Sequence, residues 1–194
     1  MSSTSTAEVG RRDLGGRQAD RVDALVEATV LELRAGGYDG LTVRNVARRA
    51  GVAAATAYTY FGSKDHLVAE VFARRVDGLP TPEVDGTSTA VDRVAAALRE
   101  IADLVAGEPE LASASTTAVL ARDPDVERLR VRIGAAFNGR LHAALGPDAA
   151  PGVLRALNLA WAGALLQAGM GVFPYTELAD RMHEVAEVVL GEAR

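Results

Sequence analysis

Residues 42–67 read TVRNVARRAGVAAATAYTYFGSKDHL, and the fold is decided here. Thr42 is a good N-cap for a short helix whose inner face is Val43, Val46, Ala47 and Ala50. Gly51-Val52 makes a tight turn. A second short helix spans about 53–60, and Gly62-Ser63 then breaks and recaps the chain. Two short helices about a glycine turn form the pattern of a helix-turn-helix. One helix lies across the phosphates while the next projects its first turns into the major groove. Such a steep pair needs small residues where the helices meet, and Ala47, Ala50 and Gly51 supply them.

Outward from this core, the apolar period stays helical. On the N-terminal side, Val22, Leu25, Val26, Thr29, Val30 and Leu33 form one stripe of a helix over 18–35, stopped by Gly36-Gly37. Residues 1–17 carry Ser, Thr, Gly and Arg with no apolar period, which predicts a flexible basic arm. On the C-terminal side a fourth helix buries Leu67, Val68, Val71, Phe72, Val76 and Leu79. The stretch 80–88, with two prolines and a glycine, divides a first unit (20–80, with its helix-turn-helix at about 43–62) from a second unit (89–194).

The second unit is also helical. Thr89 and Asp92 resemble a capping box opening a helix to about 107. Pro109 starts another that runs to about Arg122, and Asp123-Pro124-Asp125 is a strong start signal for a third, reaching Leu145. The segment 150–169 is apolar nearly all round, and a last helix covers 175–191. No alternating strand is present. The expectation is an all-α protein of about nine helices, closely packed through its 37 alanines.

Composition excludes several chemistries. The chain of 194 residues has no cysteine, so disulfide scaffolds, thiolate zinc sites and cysteine nucleophiles are out. Three scattered histidines, His66, His142 and His183, make a histidine metal cluster improbable on spacing. Gly134 to Gly139 has P-loop-like spacing but ends in Arg140, inside a helix. His183-Glu184 lacks the second histidine of a zincin, and there is no Gly-x-Ser-x-Gly elbow. No catalytic, metal or cofactor site is expected. No apolar run reaches the ~18 residues that span a bilayer, and no apolar stretch follows the N-terminal charges. A cytoplasmic protein with no membrane partner is the expectation.

Charge points elsewhere. The net charge is −5, yet residues 40–64 hold Arg44, Arg48, Arg49 and Lys64 with no acid. Residues 81–194 carry 10 basic against 16 acidic groups, so the acidity lies away from the patch. A local patch is what meets phosphate.

The quoted segment, preceded by a helix ending in Gly36-Gly37-Tyr38, resembles the DNA-binding domain of TetR-family transcriptional regulators over about residues 20–80. The resemblance implies a ligand-responsive repressor, a homodimer on a near-palindromic double-stranded operator, with an effector pocket in its C-terminal helices. It implies that Thr42 caps the second helix and offers a phosphate contact, and that Arg44 reaches a phosphate or a guanine edge. It places Ala54, Ala55 and Thr56 where base edges are read, Tyr58 and Tyr60 at backbone contacts, and Lys64 on a phosphate. Ala53 departs from the family, which often has Ser or Thr there. With Ala54 and Ala55 beside it the reading face is nearly bare, which gives DNA shape a larger share of recognition. Arg48 and Arg49 also read as an ordinary solvated face, Phe61 as core. Arg11, Arg12 and Arg17 could reach a minor groove.

For the second unit, the apolar circumference of 150–169 implies two buried faces. Ala156, Ala160, Gly163 and Ala164, with Leu178, Met182, Val185 and Val189 of the last helix, are the expected dimer interface. Ile101, Leu104, Leu111, Thr117, Phe137, Leu141, Asn158, Trp161 and Leu165 are the expected walls of a pocket for a small apolar or lipid-like effector. Two rival readings are a DNA-organising protein of the same fold without an effector and a small helical ligand-binding protein or enzyme.

Overall fold

The computed structural model describes residues 4–80 and 88–191, with side chains from Arg17 onward. Among these residues every regular element is helical. Helix α1 (Thr4–Gly40) is broken at Gly37, where φ is 63°, a conformation glycine tolerates. Then come α2 (Val43–Arg49), α3 (Ala54–Tyr60) and α4 (Lys64–Asp77). The second unit contains α5 (Ala90–Gly107), α6 (Pro109–Ala118), α7 (Pro124–Leu145), α8 (Pro151–Gly169), a 3₁₀ turn (Tyr175–Glu177) and α9 (Leu178–Gly191).

The caps explain where helices begin. The Thr42 side chain accepts from the Asn45 N–H at 3.1 Å, and Ser63 accepts from that of His66 at 3.1 Å. Thr89 and Asp92 form a reciprocal capping box, and Asp123 with Pro124 at N1 opens α7. Gly51, at φ 67°, provides the left-handed residue of the α2–α3 turn. Ala53 heads α3 with no side-chain cap, the consequence of the departure noted above.

Two boundaries differ from the sequence reading. The backbone of residues 4–17 is helical rather than an irregular arm. Extending a helix already nucleated at 18–36 adds a hydrogen bond for each residue fixed, and no proline interrupts it. The side chains of Arg11 and Arg12 lie outside the described residues. Helix α6 ends at Ala118, and Leu120 and Ala121 donate to the carbonyls of Thr117 and Ala118 in a tightened last turn. The Asp123-Pro124 pair disfavours further helix.

One continuous apolar core runs from Leu25, Leu33, Val46 and Leu67 through α4 into Leu98, Ile101, Leu157 and Met182. Helix α4 is the shared element, packed against α1, α6 and α7. A second small cluster, Ala69 and Ala73 against Val126 and Leu129, seals α4 onto α7. Each of those larger apolar side chains contributes roughly 1.5–3 kcal/mol by burial. The helix-turn-helix is therefore joined to the second unit by the packing of α4 on α6 and α7 and of α1 on α6.

Candidate nucleic-acid interface

Helix α3 buries Ala57 completely and turns Ala55, Tyr58 and Thr59 outward. Tyr58 is 49% exposed, so it stands on the surface, while Phe61 three residues later is core. Tyr60 is half-buried against the core. Thr42 and Arg44 are exposed at the start of α2, and Ala54 and Thr56 are half-buried on α3. The side chain of Thr59 returns to the carbonyl of Ala55 at 3.1 Å. Direct hydrogen-bonding capacity on this face thus rests with Arg44, Thr56 and Tyr58. Arg49 is drawn to Glu32 at 2.6 Å. Lys64, half-buried, donates to the backbone carbonyl of Tyr38 at 3.0 Å and lies 3.9 Å from the centre of that residue's ring.

Behind this surface, two helix caps interlock. Ser63, the N-cap of α4, also donates its hydroxyl to Asp123 at 2.7 Å. The other oxygen of Asp123 accepts from the Asp125 N–H at 2.9 Å and so caps α7. One turn in, His66 packs edge-on against Phe61, with ring centres 5.1 Å apart. Its Nδ1 is buried without a hydrogen bond, 3.7 Å from Asp125. Burial holds the His66 pKa below its ordinary value against the opposing pull of Asp123 and Glu70. A base whose folded pKa is lowered binds fewer protons folded than unfolded. Stability is therefore full above about pH 6.5, the ordinary histidine value, and falls as pH drops through that value toward the folded pKa. His66→Gln is expected to flatten the loss of melting temperature between neutral and mildly acidic pH. Parallel melting curves for the two proteins would contradict it.

Further back, a cavity of about 230 Å³ opens among α4, α5, α7 and α8. Of the expected walls, Ile101, Phe137, Asn158, Trp161 and Leu165 line it. Phe137 and Trp161 sit with ring centres 5.3 Å apart. Four expected walls do not. Leu111 and Leu141 are packed into the core and Leu104 is half-buried beside it. Thr117 is exposed, one position round α6 from the half-buried Thr116. The sequence reading missed Phe72 and Val76 of α4, Val119, and Arg130, Ile133, Gly134 and Ala162. Phe72 and Val76 were legible as an apolar stripe, but the period does not say which neighbour the stripe meets.

The expected dimer face also needs correction. Leu178 and Met182 are each 0% exposed, because α9 turns them inward where it packs on α5 and α8. Ala160, Ala164, Val185 and Val189 are partly buried against the core, as is Ala156 by exposure, and Gly163 is half-buried. What α8 and α9 leave uncovered is Leu159 (69% exposed), Leu166, Met170 and Val188 (62%).

Two short helices about a left-handed glycine, with Arg44 and Arg48 exposed on the first of them and the pair packed on a helical body, define a helix-turn-helix DNA-binding regulator. Residues 25–71 match the model of the bacterial regulatory proteins of the tetR family. The chain is 45% identical over 179 residues to an uncharacterized HTH-type transcriptional regulator of Mycobacterium tuberculosis, covering 91% of this chain and 84% of that one. It is 27% identical to the HTH-type transcriptional repressor KstR of Rhodococcus jostii, over 98% and 93% of the two chains. Its fold matches that of the transcriptional regulator FadR from Bacillus subtilis, solved in complex with stearoyl-CoA, with a TM-score of 0.65. That alignment covers 86% of this chain and 96% of FadR at 17% identity. The chain belongs to the tetR family of bacterial transcriptional regulators. Among the described residues no helix is long and apolar enough to cross a membrane.

Proposed function

We propose that this regulator is a cytoplasmic homodimeric repressor. It occupies a near-palindromic operator and leaves it when a small apolar or lipid-like molecule fills the cavity behind α4. It acts by binding alone, with no catalysis. The observation that carries this reading is the shared wall: Phe72 and Val76 of α4 line the cavity, while the N-terminus of the same helix carries Lys64 beside α3. A ligand that presses on α4 shifts the DNA-binding unit relative to α7, and binding that favours the shifted state weakens operator affinity. The named ligand of FadR and the named activity of KstR support an acyl-type ligand and repression respectively. The cavity favours this reading over a DNA-organising protein without an effector.

Dimerisation through the uncovered faces of α8 and α9 would set the recognition helices about one turn of DNA apart, roughly 34–36 Å. On the DNA side, Thr42, Tyr58, Tyr60 and Lys64 would contact the backbone. Arg44 and Thr56 would read bases, with Ala54 and Ala55 against thymine methyls.

Selection of genomic fragments by the purified protein tests the DNA reading, and failure to enrich any sequence at moderate salt would refute it. On a selected duplex, Arg44→Ala is expected to cost roughly 1–3 kcal/mol and to relax preference at one base position. Lys64→Ala should weaken all duplexes alike and lower the salt dependence of binding. An Arg44→Ala variant that keeps full sequence preference would reassign that residue to the backbone. Melting-temperature screening of apolar metabolites, followed by operator release, tests the cavity.

A further inference from the structure

Tyr38 makes three contacts with two adjacent residues of α4. Its hydroxyl donates to the carboxylate of Asp65. Its backbone carbonyl accepts from the Lys64 ammonium at 3.0 Å. Its ring lies beneath that ammonium, 3.9 Å from it. The contacts exist because Gly37 adopts a left-handed conformation and so turns the chain at the break in α1. The half-buried Tyr38 is thereby set against the first turn of a helix 26 residues further on.

Lys64 and Asp65 are the first two residues of α4 and carry opposite charges. They do not face one another on the helix, but a carboxylate free to swing at this end of α4 would oppose an incoming phosphate. Tyr38 holds both: the hydroxyl takes the carboxylate, and the ring and carbonyl take the ammonium. An ammonium has three N–H donors. One is committed to the carbonyl, and donors remain for an anion. A lysine side chain also has much rotamer freedom to lose on binding, part of which is already lost before DNA arrives.

We propose that Tyr38 is a positioning residue for DNA binding, which holds Lys64 in reach of a phosphate and holds the Asp65 carboxylate aside. The inference rests on the reading of Lys64 as a phosphate contact.

The test measures affinity and its salt dependence by fluorescence anisotropy, on a duplex recovered by the wild-type protein from random sequence. Lys64→Ala is expected to reduce the slope of log affinity against log salt by about one for each protomer bound. Tyr38→Phe, which keeps the ring and the carbonyl but frees Asp65, is expected to weaken binding several-fold. Asp65→Asn should raise affinity more in the Tyr38→Phe background than in the wild type and so restore most of that loss, which a merely structural role for Tyr38 would not produce. Tyr38→Leu should lower the slope as Lys64→Ala does, and the two together should lower it no further. If Tyr38→Leu melts below the assay temperature, the Tyr38→Phe and Asp65→Asn pair decides the matter. A normal slope for Lys64→Ala would overturn the reading of Lys64. A normal Lys64 effect with wild-type affinity for Tyr38→Phe, or no rescue by Asp65→Asn, would overturn the role of Tyr38.

Discussion

Replacing Leu159 and Val188 together by glutamate is expected to give a folded 20.3 kDa monomer with operator affinity reduced by at least about a hundredfold. Both side chains are largely exposed in the single chain, at 69% and 62%. A surface charge there costs the fold little, usually within about 0.5 kcal/mol. In a dimer that buries the same face, the two glutamates would be stripped of water, a cost that an ion pair at best partly offsets. Two tethered half-site readers gain roughly 10²–10⁴ over one, through effective concentration alone. Losing the tether therefore removes most of the affinity without touching a single DNA contact. Light scattering with a melting curve reads the first part, and anisotropy on the selected operator reads the second. A double variant that stays dimeric, or that binds as the wild type does, would show that this face is not the interface.

The corrected face shows what the sequence can and cannot convey. Helical period identified α9 as amphipathic, and Leu178 and Met182 were legible as buried. The period says nothing about whether burial is against the same chain or another copy. Here α5 and α8 of the same chain provide the cover. The same ambiguity misplaced Leu111 and Leu141, which are core rather than cavity wall. Cavities arise where side chains from several helices fail to meet, and no local pattern encodes that. Local signals fared better. Thr42, Thr89 and Asp123 act within three residues of themselves, so capping chemistry fixes helix starts whatever the tertiary surroundings. The helix-turn-helix was legible for that reason, being built from caps, a left-handed glycine and a short apolar period. The Ser63–Asp123 link and the Tyr38 contacts with α4 were not, because each joins residues far apart in the chain.

Gly134 gives the second large effect, and its direction is unusual. It lies in the middle of α7, on the cavity wall, and a Cβ built there meets nothing within 4 Å. Glycine inside a helix is about 1 kcal/mol less favourable than alanine. Gly134→Ala is therefore expected to stabilise the protein by about that amount, raising its melting temperature by roughly 2–4 °C. Gly134→Leu goes further. Its side chain extends into the 230 Å³ cavity and takes space that a ligand would use, beside Phe137 and Trp161. Burial of the added carbons favours the substitution and any overpacking opposes it, so the gain in stability stays near that of alanine. Function should respond far more. The leucine variant should keep wild-type operator affinity, because its position is remote from α2 and α3. It should lose both the melting-temperature increase and the operator release produced by any ligand that acts through the cavity. The result would be a repressor locked on its operator. Ligand-driven release that persists at wild-type ligand concentration in Gly134→Leu would place the effector elsewhere in the molecule. Loss of release together with loss of DNA affinity would mean that filling the cavity itself moves α4. The glycine is then explained as a position where helix stability is given up for room. An optimally packed α7 would have no reason to keep it.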